Sequence, residues 1–430
     1  MFTDAEAATE VDAAAESVAD TTEDATVTTT KMADAAVKAA ADAIRRSFVC
    51  LRSLASGKDC TMKTAVVILN WNTEDFLRKF LPGLLQSASL VQGAEVIVAD
   101  NDSSDDSLEV MKEVFPNVRT IELEKNFGFT GGYNRAFREI DCEYFVLINS
   151  DIEVTDNWLG PLVKWMDTHP DCGACAPKLH SYQDREKFEY AGAAGGYIDR
   201  LGYPFCRGRV MKRLETDRGQ YDSPADVFWA TGACLMVRSS VYTALGGLDE
   251  RFFAHMEEID LCWRMQLEGW KVTVVPESVI YHVGGGTLPA SSPFKLFLNY
   301  RNNLLMLDNN LSKTFALKAF RQGKPAKRAA RIGCRKARRR IFARKCLDWM
   351  SALVYLLTFS IKSFSAVVKA HKEYTRLKHT AGRDSIMKYL TSLKPGTGVK
   401  GIYGKWIILQ SMLKREDIFS FIHEDDFYKI

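Results

Sequence analysis

Short apolar strands alternate with amphipathic helices between residues 64 and 148, and this alternation restricts the fold more than any other feature. Four apolar runs are the predicted strands: residues 65–69, 95–99, 118–123 and 144–148. Apolar residues at helical spacing follow the first two runs, at residues 76–85 and 108–114. Strands connected through helices pair in parallel with right-handed crossovers. The sequence therefore predicts an α/β fold built on a mostly parallel sheet.

Polar residues follow three of these strands, at Asn72, Asp100 and Asp151. The run Tyr144–Ile148 is wholly apolar, which is typical of a buried central strand, and Asn149 follows it directly. Ligands of open parallel sheets collect beyond the carboxyl ends of the strands, where a carboxylate can hold a divalent cation against a diphosphate. On this stretch alone, an aspartate that merely opens a turn explains Asp151 equally well.

The motifs of two other nucleotide-binding classes are missing from the sequence. No G-x-G-x-x-G follows the first strand, and no Walker A lysine loop occurs anywhere. A dinucleotide oxidoreductase and a P-loop enzyme are therefore disfavoured. A mononucleotide that carries a diphosphate, bridged to Asp151 by a metal ion, fits the strand ends better.

Charge is distributed unevenly, although the net charge is only +3. Residues 1–30 hold eight acidic and no basic residues, whereas residues 312–345 hold fourteen Lys or Arg and no acidic residue. The first segment is predicted to be a disordered acidic tail, and residues 31–62 are predicted to form a helix and a linker. No basic secretory leader is visible and the ten cysteines follow no framework spacing, which favours a cytoplasmic protein with reduced thiols.

Five ordered motifs resemble those of family-two inverting glycosyltransferases, in particular the rhamnosyltransferase-like branch of bacterial polysaccharide synthesis. The motifs are Val66-Val-Ile-Leu-Asn-Trp-Asn72, Val98-Ala-Asp-Asn-Asp-Ser-Ser104, Asn126-Phe-Gly-Phe-Thr-Gly-Gly-Tyr-Asn134, Leu147-Ile-Asn-Ser-Asp151 and residues 252–264. The resemblance covers residues 63–305 and implies a GT-A fold, whose mostly parallel sheet is Rossmann-like. It also implies a dTDP-, UDP- or GDP-sugar as the donor and Mg²⁺ or Mn²⁺ as the cofactor.

Together with the strand ends, the resemblance implies roles for individual residues. Seven residues are expected to hold the donor: Trp71, Asn72, Asp100, Asn126, Gly132, Asn149 and Asp151. Asp151 and His282 are the expected metal ligands, and Trp229 and Gly232 are expected to line the acceptor side. The metal motif departs from the family pattern, because Asn149-Ser-Asp151 contains a single carboxylate.

Glu258 matches the catalytic base of the family, with Glu257 and Asp260 as the other candidates. The motif is Glu257-Glu258 where many relatives have Glu-Asp. A base that takes the proton from an acceptor hydroxyl commonly contributes about 10²–10⁴-fold to the rate. All three acids also lie in the first turn of a predicted helix, where acids favour the helix dipole regardless of function. His282 and Trp71 likewise have structural explanations, as a satisfied histidine and a core residue.

Residues 306–430 are predicted to form a basic helical extension that associates with a membrane. The apolar run 347–368 is interrupted by Asp348 and Lys362, which favours an interfacial helix pair on an anionic membrane over a spanning helix. The alternative to membrane association is that the basic residues simply form a solvent-exposed helix face. Nucleic acid is not an expected partner, because no reading module accompanies the cations. The predicted location is cytoplasmic, peripheral on the inner face of the cytoplasmic membrane.

These observations favour a metal-dependent inverting glycosyltransferase that moves a sugar to a lipid-linked glycan or a polysaccharide. Rhamnose is one candidate sugar. A nucleotidyltransferase is disfavoured because its glycine-rich basic signature is missing. The remaining alternative is a catalytically degenerate protein that binds a nucleotide sugar or acts as a membrane scaffold.

Overall fold

The computed structural model describes residues 62–284, 292–394, 396–414, 418–420 and 422–428. The predicted acidic tail lies outside these residues, as do the predicted helix and linker apart from Met62. Residues 60–108 and 118–430 form one compact unit, and residues 109–117 belong to another. Both sheets and all the candidate site residues lie in the larger unit.

Strands and helices alternate through the first half of the described chain, and helices dominate the second half. The strands are β1 (Thr64–Asn70), β2 (Ala94–Asp100), β3 (Arg119–Glu122), β4 (Tyr144–Ile148), β5 (Ile152–Val154), β6 (Cys172–Ser181), β7 (Gly196–Asp199), β8 (Pro204–Cys206), β9 (Arg209–Val210), β10 (Arg213–Leu214), β11 (Ala225–Asp226), β12 (Cys234–Arg238), β13 (Lys271–His282) and β14 (Ile402–Tyr403). The helices are α1 (Glu74–Ser89), α2 (Ser107–Glu113), α3 (Gly128–Arg138), α4 (Leu159–Thr168), α5 (Ser239–Ala244), α6 (Glu257–Leu267), α7 (Pro293–Arg321), α8 (Ala326–Leu357), α9 (Ile361–Leu377), α10 (Arg383–Thr391) and α11 (Ile407–Lys414).

The large sheet has the strand order β11-β13-β6-β12-β4-β1-β2-β3, and β5 pairs with β13. Strands β4, β1, β2 and β3 run parallel, and β6 runs parallel to β13. Strand β12 is antiparallel to both β4 and β6, so it joins the two parallel groups. The predicted α/β class with a mostly parallel sheet is confirmed.

The register of the sheet brings its polar strand ends to one edge. Asn70 at the end of β1 pairs with Asp100 at the end of β2, and Ile68 pairs with Ile148 at the end of β4. Strand β4 is buried along its whole length, as its apolar sequence predicts. The carboxyl ends of these three strands therefore form the edge at which parallel sheets bind ligands.

The sequence predicts a helix over residues 133–140 that follows a glycine-rich segment. Helix α3 begins five residues earlier, at Gly128, because the glycine-rich segment forms its first turns. Gly132 lies against β1, and a Cβ atom at this position would stand 2.7 Å from two carbons of Leu69. Glycine thus allows the helix to approach the strand closely. The glycines that suggested a loop in the sequence therefore serve helix–sheet packing.

A second sheet lies in the segment that the sequence suggests is loop-rich. Its order is β10-β9-β8-β7-β14, and within the described residues it has five strands. Strand β14 pairs in parallel with β7, so Ile402 stands opposite Ile198 and Tyr403 opposite Asp199. Residues about two hundred positions apart thus complete one sheet. Local periodicity contains no signal for such a pairing.

Helices α7, α8 and α9 pack against one another, and α7 also packs on α6. Helix α7 continues across residues 305 and 306, where the sequence predicts the boundary between the transferase domain and the basic extension. Asp348 and Arg344 of α8 are buried and paired at 2.8 Å, and His371 of α9 lies 3.2 Å from the other Asp348 oxygen. Among the described residues, no helix combines the length and apolar character needed to cross a membrane.

Candidate active site

Asp151 follows β4 at the polar edge of the sheet, and its carboxylate contacts the last residue of β13. Its Oδ1 atom lies 3.2 Å from Nε2 of His282, while the Gly284 backbone N–H donates to Oδ2 at 3.2 Å. The other ring nitrogen, Nδ1, lies 3.2 Å from Oε1 of Glu189, although the angle is not that of a hydrogen bond. Asp151, His282 and Glu189 are all buried. The histidine is therefore flanked by two carboxylates.

Two opposing effects set the protonation of this triad. Burial alone would lower the pKa of His282, but its contacts with Asp151 and Glu189 outweigh burial and raise it to about 10. Burial would raise the pKa of Asp151, but its hydrogen bond and charge interaction with His282 lower it below the usual value. These contacts favour the charged pair, an imidazolium beside a carboxylate, so His282 must lose a proton before it can bind a metal ion.

Asp151 and His282 can serve as neighbouring ligands of a divalent ion. Adjacent ligands of an octahedral ion lie about 3 Å apart when each bond is about 2.1 Å, and the two donor atoms here are 3.2 Å apart. A carboxylate beside the second nitrogen, as Glu189 provides, is a common way to orient a ligating histidine. In the described part of the chain, no group of three or more His, Cys, Asp or Glu side chains could hold a metal ion. The residues therefore fit an ion that takes its other ligands from elsewhere.

Asp100 ends β2 in a network of hydrogen bonds. Its Oδ1 atom accepts from Asn70 Nδ2 at 2.8 Å and from Ser103 Oγ at 2.6 Å, and Oδ2 accepts from the Ser103 backbone N–H. Asn72 has a positive φ of 54° and its Oδ1 accepts from the Ser104 backbone N–H at 2.7 Å. The two strand-end loops are thereby fixed against each other, and Asp100 and Asn72 lie side by side as predicted.

Asn126 fixes the turn before α3. Its Oδ1 accepts from Asn101 Nδ2 at 3.0 Å and from the Gly128 backbone N–H at 2.8 Å. Gly128 has a φ of 70°, and a Cβ atom there would overlap the Phe253 ring at 2.4 Å. Thr130 also donates its backbone N–H to the Phe253 carbonyl at 3.1 Å. The motif at residues 126–134, which includes two of the residues expected to hold the donor, therefore contacts the segment that precedes α6.

That segment is a strained turn. Phe253, His255 and Met256 have φ values of 64°, 70° and 71°, a region that large side chains rarely adopt. Asn302 of α7 donates from Nδ2 to the carbonyl oxygens of Phe252, Ala254 and His255 at 2.9, 2.7 and 2.8 Å. Arg301 donates to the Phe252 carbonyl at 2.7 Å. Helix α7 thus holds the turn in its conformation.

The strained turn delivers the buried Glu257 and the half-buried Glu258 to the start of α6. The Oε2 atoms of Glu257 and Glu258 are buried and have no hydrogen-bond partner in the part of the chain that the structure describes. Burial raises the pKa of Glu258 to about 7. Burial, reinforced by the nearby Glu258, raises the pKa of Glu257 well above its usual value. Near neutral pH, Glu258 can therefore exchange a proton, and the raised pKa of Glu257 favours its protonated form.

Asp260 is the third candidate acid, and its surroundings differ from those of the glutamates. It is fully buried, and its Oδ2 accepts from Arg264 Nε at 2.7 Å. Its Oδ1 accepts from Asn309 Nδ2 at 2.9 Å and from Asn310 Nδ2 at 2.7 Å. Oδ2 is thus occupied by a contact within α6, and Oδ1 is occupied by contacts with α7. These contacts indicate a structural role.

Glu258 and Asp151 are connected through adjacent strands. Gly232 precedes β12, and a Cβ atom at this position would stand 3.6 Å from Cβ of Glu258. The next residue, Ala233, accepts a backbone hydrogen bond from Asn149 at 2.9 Å. Asn149 in turn lies two residues before Asp151. The structure therefore brings Gly232, Asn149 and Glu258 together at the edge that carries Asp151.

Trp229 and Gly132 make internal contacts. The Trp229 ring is buried against Gly196 of β7, and its Nε1 donates to the Tyr197 carbonyl at 3.0 Å. Gly132 packs on Leu69, as described above. Trp71, in contrast, is 36% exposed at the end of β1, where a base could reach it. The ligand-binding roles of these three residues remain predictions.

The sequence did not identify Glu189 or Asn302. Glu189 precedes the small sheet and has no motif around it, and only the fold brings it to His282. Asn302 follows Tyr300 and Arg301 in a segment with a helical pattern, so an asparagine there resembles any polar helix residue. The feature that distinguishes Asn302 is its position on the buried face of α7, which is apparent only from the packing of α7 on α6.

A cavity of about 580 Å³ lies elsewhere, at the amino ends of β6 and β13. Two ion pairs line it, Lys271 with Asp171 and Lys400 with Asp226. It lies at the opposite end of these strands from His282, so it is separate from the predicted site. Its charged groups already have partners, and we assign it no role.

A mostly parallel sheet with buried acids at its carboxyl edge is typical of α/β proteins that bind nucleotides. Residues 65–245 match the family described as Glycosyl transferase family 2, and the chain therefore carries a domain of this family, as the motifs predicted.

Curated relatives agree with this assignment. The N-acetylglucosaminyl-diphospho-decaprenol L-rhamnosyltransferase of Mycobacterium tuberculosis is 27% identical over 240 residues, which are 50% of this chain and 75% of the relative. Rhamnosyltransferase WbbL of Escherichia coli is 25% identical over 227 residues, which are 49% of this chain and 80% of the relative. Among solved structures, GalNAc-T7 with UDP, GalNAc and Mn²⁺ is 18% identical with a TM-score of 0.46. That match covers 62% of this chain and about half, 52%, of the other.

Proposed function

We propose that the protein is an inverting glycosyltransferase with Glu258 as its general base. The observation that carries the proposal is the buried Oε2 atom of Glu258, which lacks a partner among the described residues. The Cβ atom of the same side chain lies beside Gly232 at the polar edge of the sheet. A carboxyl with a pKa of about 7 is well suited to proton transfer near neutral pH. The backbone link from Gly232 to Asn149 supports a common site with Asp151.

In the proposed reaction, Glu258 accepts the proton of an acceptor hydroxyl. The hydroxyl oxygen attacks the anomeric carbon while the bond between that carbon and the diphosphate oxygen breaks. The positive charge that develops on the sugar resembles that of glycoside hydrolysis. Attack from the face opposite the leaving group inverts the anomeric centre. Phe253 and its neighbours, fixed by Asn302, keep the base at this face.

The donor lies, in this proposal, along the ends of β1, β2 and β4. Its contacts would come from Trp71, Asn72, Asp100, Asn126, Gly132 and Asn149. Asp151 and His282 would hold Mg²⁺ or Mn²⁺, with further ligands supplied by the diphosphate and water. Bound there, the ion would neutralise charge on the leaving diphosphate. The transferase domain would span residues 63–305, completed by the remainder of α7.

The acceptor in this proposal is a glycan or a lipid-linked glycan, approached from Gly232 and Trp229. The name of the M. tuberculosis relative, a rhamnosyltransferase for N-acetylglucosaminyl-diphospho-decaprenol, supports rhamnose and a polyprenyl-linked acceptor as first candidates. A membrane-bound acceptor accords with a protein that is cytoplasmic and peripheral at the inner face of the membrane. Residues 306–430 would provide that association.

The test is a comparison of donor binding and sugar transfer in the full chain. Wild-type protein is first screened by thermal shift with UDP-, dTDP- and GDP-sugars, with and without Mn²⁺. Glu258→Gln should then bind the selected donor as wild type does, while transfer falls by about 10²–10⁴-fold, because the base is lost. Chromatographic detection of the glycosylated acceptor measures the transfer.

Two further variants decide between the acids. Glu257→Gln should retain most of the transfer activity, because Glu257 stays protonated in the proposed mechanism. Asp260→Asn should lower the stability of the fold more than it lowers the rate of sugar transfer, because Asp260 joins α6 to α7. Full transfer by Glu258→Gln would refute this residue as the base. Donor binding without transfer by wild type would favour the non-catalytic alternative.

A further inference from the structure

Helices α8 and α9 form a hairpin whose connection exposes large apolar side chains. We call residues 342–361 the hairpin tip. Phe359 is 89% exposed and Leu357 is 69% exposed. The other exposed large apolar residues of the tip are Phe342, Trp349, Met350, Leu353, Val354, Leu356 and Ile361. Scattered apolar residues on a surface are ordinary, but a contiguous group of this kind marks an interaction site.

Helix α8 differs from an ordinary surface helix at the hairpin tip. Its buried face there carries the paired Arg344 and Asp348 beside Ala352. Its outward face there carries Phe342, Trp349 and Leu353, which follow one another at helical spacing. The tip thus exposes large apolar side chains while a charged pair lies inside. Such an arrangement is stable where the outer medium is itself apolar.

The surface beside the tip is cationic. Arg331, Arg335, Arg338 and Arg339 are exposed on α8 before the tip, and Lys362 is exposed directly after it. Between residues 325 and 372 the only acidic residue is Asp348, which is buried and paired. The exposed surface around the apolar tip therefore carries charge of a single sign.

Phe359 lies in the connection between α8 and α9 with a φ of 56°. Glycine or asparagine would adopt this left-handed conformation at lower cost, and either would present less apolar surface to water. The chain instead places an exposed phenyl ring at the end of the hairpin. Stability of the folded chain in water does not explain this choice.

We propose that the hairpin tip inserts into the interface of an anionic lipid bilayer. The apolar side chains enter the region between head groups and acyl chains, and the arginines of α8 contact lipid phosphates. A second copy of this chain is the competing occupant. It is disfavoured because a symmetric contact would bring two surfaces of the same positive charge together. The inference deepens the membrane association proposed above for residues 306–430, and it does not depend on the transfer reaction.

The first test is the partition of the full chain onto vesicles of phosphatidylcholine mixed equally with phosphatidylglycerol. The variant combines Leu353→Ser, Leu357→Ser and Phe359→Ser, all at exposed positions. Loss of each side chain should weaken partition on the order of tenfold. The matched control combines Leu409→Ser, Met412→Ser and Leu413→Ser on α11, whose side chains are 41%, 69% and 67% exposed. The control should bind like wild type.

Charge and depth give two independent measurements. Arg335→Gln, Arg338→Gln and Arg339→Gln should each weaken partition on the order of fivefold, and vesicles of phosphatidylcholine alone should bind weakly. Cys346 is the exposed cysteine among those described. A fluorophore at Cys346, isolated by subtracting the signal of Cys346→Ser, should shift to the blue and be quenched by brominated lipids.

Equal vesicle binding by the tip variant and wild type would overturn the proposal. A fluorophore at Cys346 that stays in water on bound vesicles would also overturn it. Sedimentation measures the competing occupant. If wild type is a dimer and the tip variant a monomer while vesicle binding is unchanged, the tip is an interface between copies and the proposal is wrong.

Discussion

Helix α8 and the first two residues of α6 both bury carboxyl oxygens, and they treat them in opposite ways. On α8, both oxygens of Asp348 have partners, Arg344 at 2.8 Å and His371 at 3.2 Å. At the start of α6, Glu257 and Glu258 each bury an oxygen that has no partner in the described chain. One helix therefore satisfies its buried charge, and the other keeps proton-binding groups unsatisfied.

The difference separates residues that keep the fold from residues that can perform chemistry. Breaking a buried ion pair leaves an uncompensated charge, so Asp348 and Arg344 need each other. Burying a carboxyl without a partner costs free energy and raises its pKa. The strained turn before α6 adds a cost of about 1–3 kcal/mol for each unfavourable residue. Such costs persist where the surrounding structure, here Asn302, enforces them.

The largest expected effect is a loss of stability when the buried ion pair of α8 is broken. Asp348→Ala should lower the free energy of unfolding by about 3–5 kcal/mol, because Arg344 remains buried without its partner. Urea denaturation of the full chain, followed by circular dichroism, measures the change. The double variant Arg344→Met with Asp348→Leu should recover most of the loss. A cost below about 1 kcal/mol for Asp348→Ala would show that the pair contributes little.

A smaller effect, a gain in stability, is expected when the unpaired carboxyl group of Glu258 is removed. The pKa of Glu258 is raised from its usual 4.5 to about 7. A carboxyl whose pKa is higher in the folded state stabilises the fold most at low pH, and this contribution is lost as the pH rises from 4.5 through 7. Glu258→Gln should therefore gain stability relative to wild type over this range, on the order of 2 kcal/mol.

Thermal unfolding at a series of pH values measures this gain. Glu139→Gln is the control, because this acid is exposed at the end of α3 and should leave the pH profile of stability as it is. The same gain at low and high pH for Glu258→Gln would contradict the raised pKa. A loss of stability would show that the carboxylate has a partner in solution.

The smallest effect concerns the support of the strained turn. Asn302→Ala should lower kcat about tenfold, because a displaced turn misplaces the base by a fraction of an ångström. The acidic limb of the pH profile of kcat/KM should shift as well, since the surroundings of Glu258 change. Steady-state kinetics across pH measure both quantities.

Asn310→Ala is the matched control for this prediction. Both asparagines lie on α7 and are buried, but Asn310 bonds Asp260 and not the turn. The control should lower stability and leave the pH profile unchanged. Identical profiles for Asn302→Ala and Asn310→Ala would reduce Asn302 to a packing residue.

Sequence patterns predicted the core of the large sheet well, because its strands are short, apolar and separated by amphipathic helices. Strand β4 has its predicted bounds, and β1 and β2 extend one residue beyond theirs at each end. The sequence predicts a strand over residues 272–275, but β13 is much longer, because it pairs with β6 again from Val279 to His282 after an irregular stretch. The small sheet was missed because its strands are two to four residues long and its last strand is distant in sequence.

The candidate site was predicted in part for the same reason. Asp100, Asp151 and Glu258 follow strands or begin a helix, positions that local patterns identify. Glu189 and Asn302 act through contacts with distant segments, which no local pattern contains. The partners that distinguish Asp260 from Glu258 likewise come from α7. The sequence could therefore name Glu257, Glu258 and Asp260 as candidate bases, but it could not show which of them have hydrogen-bond partners.

The pairing of β14 with β7 has a consequence for biosynthesis. On the ribosome, β7 must wait for about two hundred further residues before Ile402 emerges to cover its edge. During that interval a nascent chain exposes an open strand edge, the kind of surface that recruits chaperones or pairs with a neighbour. The order of translation thus places completion of the small sheet after α8 and α9 have already been made.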